Sequence, residues 1–280
     1  MIAELVARAD LDAPADHGAF FLCGADVPSD VAELEDMLAE RGWALAATVD
    51  NDTFALLRAG MDAGDAVAVV CGTGINCVGR RADGLTARYP SLGWETGDWG
   101  GGGMLGRAVL FLAARAEDGR GEPTALVEVV RAHFDTPTVA AVGDAVHYRR
   151  LPVKRLGELA PAVVAAAEEG DGVARGLVER LAEEIALMAT RALGDLELSE
   201  RPTDVVLGGG MLRPGEGLLH EEVVTRLGAR APKARPVVAA DPPVVGAVLA
   251  ALDAAGAAPE AGGRLRSAFR NGLDAEDVRG

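Results

Sequence analysis

The stretch Cys71-Gly72-Thr73-Gly74-Ile75-Asn76-Cys77 follows the apolar run Ala66–Val70. A strand that ends in Gly-Thr-Gly can turn its backbone N–H groups into a concave nest for anionic oxygens. The Thr73 hydroxyl and the Asn76 carboxamide would add donors. Two further glycine-rich segments recur, Gly97–Gly103 (GDWGGGG), which opens a long predicted helix, and Gly208-Gly209-Gly210, which follows the apolar run DVVL. A helix N-terminus, expected after Gly103, contributes partial positive charge. Singly, each loop reads as well as a turn needing positive φ as it does as a phosphate site. Three such loops, with acids at strand ends, tip the balance toward phosphate. Neither a P-loop nor a dinucleotide fingerprint is present, and no lysine stands beside these loops, so phosphates would be held by backbone, Thr73 and a cation.

Acids supply the other chemistry. Asp50, Asn51 and Asp52 stand where a predicted strand ends and a helix begins. Asp52 reads either as the N-cap of that helix or as a carboxylate at a sheet's carboxyl edge. In the second role it would take a proton from a substrate hydroxyl during phosphoryl transfer. Asp98 is either a turn residue or a contact to substrate hydroxyls or to a metal's water shell. Trp94 and Trp99 frame its loop and read equally as stacking faces for a sugar ring or as buried anchors. His17, His133, His147 and His220 show no ligand spacing, and no serine or cysteine hydrolase motif occurs.

The elements that must position these residues follow from periodicity. Strands are expected at Ala19–Asp26 and Ala44–Asp52, with helices at 2–9, Val31–Gly42 and Asp52–Gly60, an α/β rhythm. The helix at 2–9 begins without a capping residue before it. From Ala66, AVAVVCGTG and NCVGRRADGLTARYPS read as consecutive strands, with Ala82-Asp83-Gly84 as the hairpin turn. The middle third is mostly helical, with an apolar stripe through Leu177, Leu181, Ile185 and Met188. A strand at Asp204–Gly210, a helix near 218–228, a strand at 235–240 and an apolar helix at Asp241–Gly256 close the pattern. The role of Arg115–Leu126 is open, between a mobile edge and a solvent-facing turn. Residues 257–280 are rich in Gly, Arg and Asp and read as loosely ordered.

Length and charge set limits. At 280 residues and 49% hydrophobic content the chain can bury one large core or two smaller ones. With 43 acidic and 27 basic residues its net charge is −16, which argues against nucleic acid and anionic membrane as partners. No apolar run would span a bilayer, and the first residues lack a signal-peptide pattern, so the expectation is a cytoplasmic enzyme. Cys23, Cys71 and Cys77 match no zinc framework. Cys71 and Cys77 read as small apolar strand residues, and a bridge between them would require that they face each other across a hairpin.

In order, the segments NDTFALLRAG, VAVVCGTGINCVGRRADG, GDWGGGGMLGRAVL, DVVLGGGML and PPVVGAVLAAL resemble the N-acetylglucosamine kinase / BadF–BadG–BcrA–BcrD ATPase family, within the sugar kinase, heat-shock protein 70 and actin superfamily. The resemblance spans about Ala3 to Gly256. It implies an α/β, actin-like ATPase fold of two ribonuclease-H-like domains around a cleft, here 1–64 as a truncated first domain, 65–256 as a second with a helical insertion, and 257–280 as a tail. It implies ATP and Mg²⁺ as cofactors, the metal held largely through water and phosphates, and an amino sugar as substrate. Asp52 matches the base for the sugar 6-hydroxyl; Gly72, Thr73, Gly74 and Asn76 match a phosphate loop. Asp98, with Trp94 and Asn51, falls at the sugar, and Gly208, Gly209 and Gly210 at the adenosine. Relatives often dimerise, which makes a homodimer an expectation.

This chain departs from the family in two places. Relatives often read Gly-Asp-Glu-Gly-Ser where it has Gly97-Asp98-Trp99-Gly100-Gly101, which leaves the sugar's identity open. The family's leading strand and first phosphate loop have no counterpart, so the expectation is that the true start lies upstream of Met1. Loss of that loop would cost several orders of magnitude in rate and expose a sheet edge. A binding relative without turnover is a second expectation. A third, an ATPase that activates a reductase or dehydratase, would need cysteine ligands for an iron–sulfur cluster.

Overall fold

The computed structural model describes residues 2–9, 14–61, 64–212, 216–258 and 260–277. Contacts group them into two compact units, Met1–Gly64 with Ala239–Gly280, and Asp65–Val238. The start at Met1 lies outside the described residues.

The first unit opens with α1 (Ile2–Ala9), β1 (Ala15–Leu22), α2 (Pro28–Arg41), β2 (Ala44–Asn51) and α3 (Asp52–Gly60). Strands β1 and β2 pair in parallel from Ala15↔Ala44 to Leu22↔Asn51. That register ends β1 at Leu22, four residues before the end expected from sequence, and turns Cys23–Asp26 back toward the end of β2. Helix α3 leaves β2 without a linker and is buried along Thr53–Leu57.

The second unit begins with β3 (Ala66–Cys71), β4 (Ile75–Arg80) and β5 (Thr86–Arg88). After a 3₁₀ turn at Gly93–Thr96 come α4 (Gly101–Glu117), α5 (Leu126–Phe134) and α6 (Val139–His147). A second 3₁₀ turn at Val153–Leu159 leads to α7 (Ala160–Glu168), α8 (Gly172–Asp195), β6 (Thr203–Gly208), α9 (Leu218–Arg230) and β7 (Ala234–Val238). The sheet order is β5-β4-β3-β6-β7, with β3 antiparallel to β4 and parallel to β6. Central strand β3, AVAVVC, is buried at nearly every position, between β4 and β6 in the sheet and packed against α8. The stripe Leu177, Leu181 and Ile185 of α8 lies in the same core. The 115–126 segment is a hydrogen-bonded turn: Gly121 N–H donates to the Arg115 carbonyl at 2.8 Å. Ala125 N–H and the Thr124 hydroxyl donate to the carboxylate of Asp171, the N-cap of α8, at 2.6 and 2.9 Å.

The chain then returns to the first unit through α10 (Pro243–Ala254) and α11 (Glu260–Asp277). This corrects the expected boundary at 256, because the apolar helix α10 covers α3 rather than extending the second unit. It also corrects the expected loose tail. Asp241, 3% exposed, accepts from the guanidinium groups of Arg266 and Arg270 on α11, and Arg266 also donates to the Ala59 carbonyl at 3.0 Å. Residues 278–280 of that tail lie outside the described residues. Among the described residues no helix is long and apolar enough to cross a membrane.

Candidate functional site

The three glycine segments meet at the carboxyl end of β3. Gly72–Gly74 forms a three-residue bend between β3 and β4, closed by Gly72 N–H on the Gly74 carbonyl at 2.9 Å. The bend is clamped by α4: Gly102 N–H donates to the Gly72 carbonyl at 2.7 Å and Gly103 N–H to the Thr73 carbonyl at 2.9 Å. Helix α4 thus starts at Gly101, not after Gly103. With no side chain at its N-cap, Gly100, two of its leading amides are capped by the bend's carbonyls. Gly101, at φ +74°, lies so close that a Cβ there would stand 2.5 Å from Gly74 backbone. The third segment closes from the other side. Met211 N–H donates to the Cys71 carbonyl at 3.0 Å, and Gly209, at φ +95°, would place a Cβ 2.3 Å from that oxygen. Each contact needs backbone against backbone, which is why glycine recurs at these positions.

Around this junction, Thr73 and Gly74 are exposed. Asn76 sits in β4, beyond the bend, and its side-chain oxygen accepts from Cys77 N–H and the Ser91 hydroxyl, both at 2.7 Å. Next to Gly210 and Met211 is a cavity of about 400 Å³ walled by Pro161, Val164, Ala165 and Leu219, with Glu168 and Glu216 at its polar side. Cys71 and Cys77 are free and buried; burial pushes the Cys71 thiol up to about 12 and raises that of Cys77 further. The register sets Cys77 opposite Val69 and Cys71 opposite Ile75, so the two do not bridge, and neither offers a surface thiolate.

Asp98 follows the 3₁₀ turn at 93–96. Its N–H donates to the Gly93 carbonyl at 2.9 Å, and one carboxylate oxygen accepts from the Thr96 hydroxyl. The two tryptophans of this loop part company: Trp94 is 71% exposed, whereas Trp99 is 7% exposed and lies in the core.

In the first unit, the N-cap of α3 is Asn51, not Asp52. Its side-chain oxygen accepts from Thr53 N–H at 2.9 Å, and its amide donates to Asp26 at 2.7 Å. At 2% exposure Asn51 is buried, with its side chain engaged by the α3 cap and by Asp26. Asp52 is the first helical residue and half-buried. Desolvation raises its pKa above the ordinary carboxylate value, held back by the backbone N–H groups of Thr53 and Asp52. Asp26 is a partner that sequence alone passed over; the available signal was an acid just past a strand's end. Ser91 carried no local signal. Among the described residues no group of three or more His, Cys, Asp or Glu side chains is arranged to hold a metal ion.

A sequence signature described as the BadF/BadG/BcrA/BcrD ATPase family matches residues 22–251. An N-acetylmuramic acid/N-acetylglucosamine kinase of Clostridium acetobutylicum is 25% identical over 81% of this chain and 74% of its own length. Among solved structures, a provisionally named N-acetylglucosamine kinase of Chromobacterium violaceum superposes with a TM-score of 0.63 at 19% identity, over 89% of this chain and 82% of that one. A ROK family glucokinase of Streptomyces griseus, solved with glucose and AMPPNP, superposes at 0.52 and 17% identity, over 89% and 85%. These structural likenesses bear out the expected α/β sugar-kinase fold.

Proposed function

This chain belongs to the BadF/BadG/BcrA/BcrD ATPase family, and from that membership we propose that it is an ATP-dependent carbohydrate kinase acting on the 6-hydroxyl of N-acetylglucosamine or a related amino sugar. The observation that carries the nucleotide half of this reading is the junction of three glycine segments at the end of β3. The name of the clostridial relative supports an amino sugar as acceptor.

ATP suits what the chain offers. The glycine bend and the exposed Thr73 hydroxyl would take phosphate oxygens, and the cavity beside Gly210, with an apolar wall of Pro161, Val164, Ala165 and Leu219, would take the adenine. Gly208 and Gly209 would bring the backbone close to the adenosine. Mg²⁺ suits it in a narrower sense: with no cluster of ligating side chains among the described residues, it would ride on the phosphates and water and neutralise charge on their oxygens.

Asp52 is assigned the base. Its raised pKa brings it nearer to neutrality than an ordinary aspartate, which favours proton acceptance from an alcohol. As it takes the hydroxyl proton, the sugar oxygen bonds to the γ-phosphorus, the bond to the β–γ bridging oxygen breaks, and ADP leaves. Asn51 and Asp26 hold Asp52 from behind, through the α3 cap. Asp98 would accept from sugar hydroxyls, and the open face of Trp94 would lie against the ring.

A coupled ADP-release assay on the full-length protein, with ATP and a panel of N-acetylglucosamine, N-acetylmuramic acid, glucosamine and glucose, tests the reading. Release that requires an N-acetylated amino sugar supports it. ATP binding by calorimetry with no release for any sugar would overturn it in favour of a binding protein.

A further inference from the structure

Helix α8 meets the Asp98 loop at one point. The Arg180 guanidinium carbon lies 4.1 Å from the centroid of the Trp99 ring, and Trp99 is the residue directly after Asp98. A planar guanidinium over an indole face is attracted by the ring's electron density and stacks on it. Along α8, one turn on, Arg180 approaches Glu184 at 4.0 Å, with its own side chain 54% exposed. A pair so long and so wet contributes little. The tryptophan face is therefore what fixes this side chain.

Asp98 needs such an anchor. Its hydrogen bonds with Gly93 and Thr96 are internal to the 93–98 turn; they set the turn's shape without tying it to the sheet. Trp99 makes that tie by sitting in the core, and Arg180 closes over its face. Electrostatics agree with the geometry: the Glu184 carboxyl titrates above its ordinary value chiefly through burial, with Glu183 and Asp98 adding to the rise and Arg180 opposing it. The Asp98 carboxylate thus lies within electrostatic reach of α8. Glu183 is engaged elsewhere, by Arg226 and Arg230. Arg180 thus approaches Glu184 at 4.0 Å and stacks on Trp99, the chain neighbour of Asp98.

We infer that Arg180 is a positioning residue for Asp98: seated on Trp99, it holds the 97–100 segment so that the Asp98 carboxylate is presented to the sugar, and it thereby sets sugar affinity without touching the nucleotide. The inference rests on the proposed role of Asp98 as a sugar contact.

The experiment is calorimetric titration of the full-length protein with N-acetylglucosamine and, separately, with ATP, for Asp98→Asn, Arg180→Ala, Arg180→Lys and the double variant Arg180→Ala/Asp98→Asn. Loss of the stacked cation is expected to weaken N-acetylglucosamine binding about 10-fold, as a partly desolvated cation–π contact would. The ATP Kd stays within twofold. Lysine, which keeps the charge but not the flat face, recovers part of the loss. The double variant binds no more weakly than Asp98→Asn alone, because Arg180 acts through Asp98. If Asp98→Asn weakens the sugar and Arg180→Ala does not, or if the two losses multiply, the positioning role is overturned while the sugar reading stands. If Asp98→Asn itself leaves the sugar Kd unchanged, the sugar reading falls, and this inference with it.

Discussion

At the end of β3 in Asp65–Val238 the candidate chemistry is made of backbone, and at the end of β2 in the unit of Met1–Gly64 with Ala239–Gly280 it is made of side chains. At the end of β3, the amides of Gly102, Gly103 and Met211 grip the carbonyls of Gly72, Thr73 and Cys71, and a side chain is excluded at Gly101 and Gly209. At the end of β2, Asn51, Asp26 and Asp52 are placed by capping and by hydrogen bonds between side chains. The contrast predicts different tolerances. The first region should fail when a Cβ is added, whatever its chemistry; the second should fail when a functional group changes at constant shape.

The largest effect is expected at Asp52. Asp52→Asn keeps the shape and removes the base, and kcat should fall about 10³-fold with the ATP Kd unchanged, the order of a lost general base. A kcat within tenfold of the parent would break the assignment. Next comes Gly209→Ala. Positive φ on a non-glycine residue costs about 1–3 kcal/mol, before the 2.3 Å approach to the Cys71 carbonyl is relieved. ATP affinity should drop more than tenfold while sugar binding is retained, whereas Asp52→Asn leaves ATP affinity unchanged; equal loss of both ligands would blur the comparison.

Asp241→Ala comes third. It strips the buried partner from Arg266 and Arg270 and should lower stability by about 2 kcal/mol in urea unfolding, less than a fully buried pair because the arginines reach solvent. A loss confined to the first unit's transition would sharpen the division into two units. The smallest effect is again Asp52→Asn, now on stability. Because burial raises the Asp52 pKa, its charged form destabilises the native state at neutral pH, and the penalty is absent below the unfolded pKa, where both states hold the proton. The amide variant should therefore melt at a higher temperature at pH 7, the gain fading as pH falls through the raised pKa. An unchanged melting curve at pH 7 would mean that Asp52 is better solvated than its burial indicates.

The same contrast explains what could be read from sequence. Glycines announce themselves, because a missing side chain at fixed spacing after an apolar strand has few purposes; the bend at 72–74 and the segment at 208–210 were legible for that reason. That they share one junction was not, since Met211, just past β6, bonds the carbonyl of Cys71 at the end of neighbouring β3. Asp52 was legible as an acid at a strand's end, but the capping role belongs to Asn51, and only the bond from Thr53 N–H to the Asn51 side chain shows it. The helix Glu260–Asp277 was missed because its composition is poor in apolar residues and its order comes from Asp241 and the Ala59 carbonyl, partners far off in the chain. The boundary at 256 failed for a similar reason: an apolar helix reveals that it is buried, not against what.

Hydrogen–deuterium exchange of the full-length protein with a non-hydrolysable ATP analogue and Mg²⁺ tests the glycine junction most directly. The account predicts that amides of 72–74, of 101–104 and of 209–212 slow together, over one concentration range, on addition of the analogue. Protection at one of these segments without the other two, or at none while the analogue binds, would contradict it.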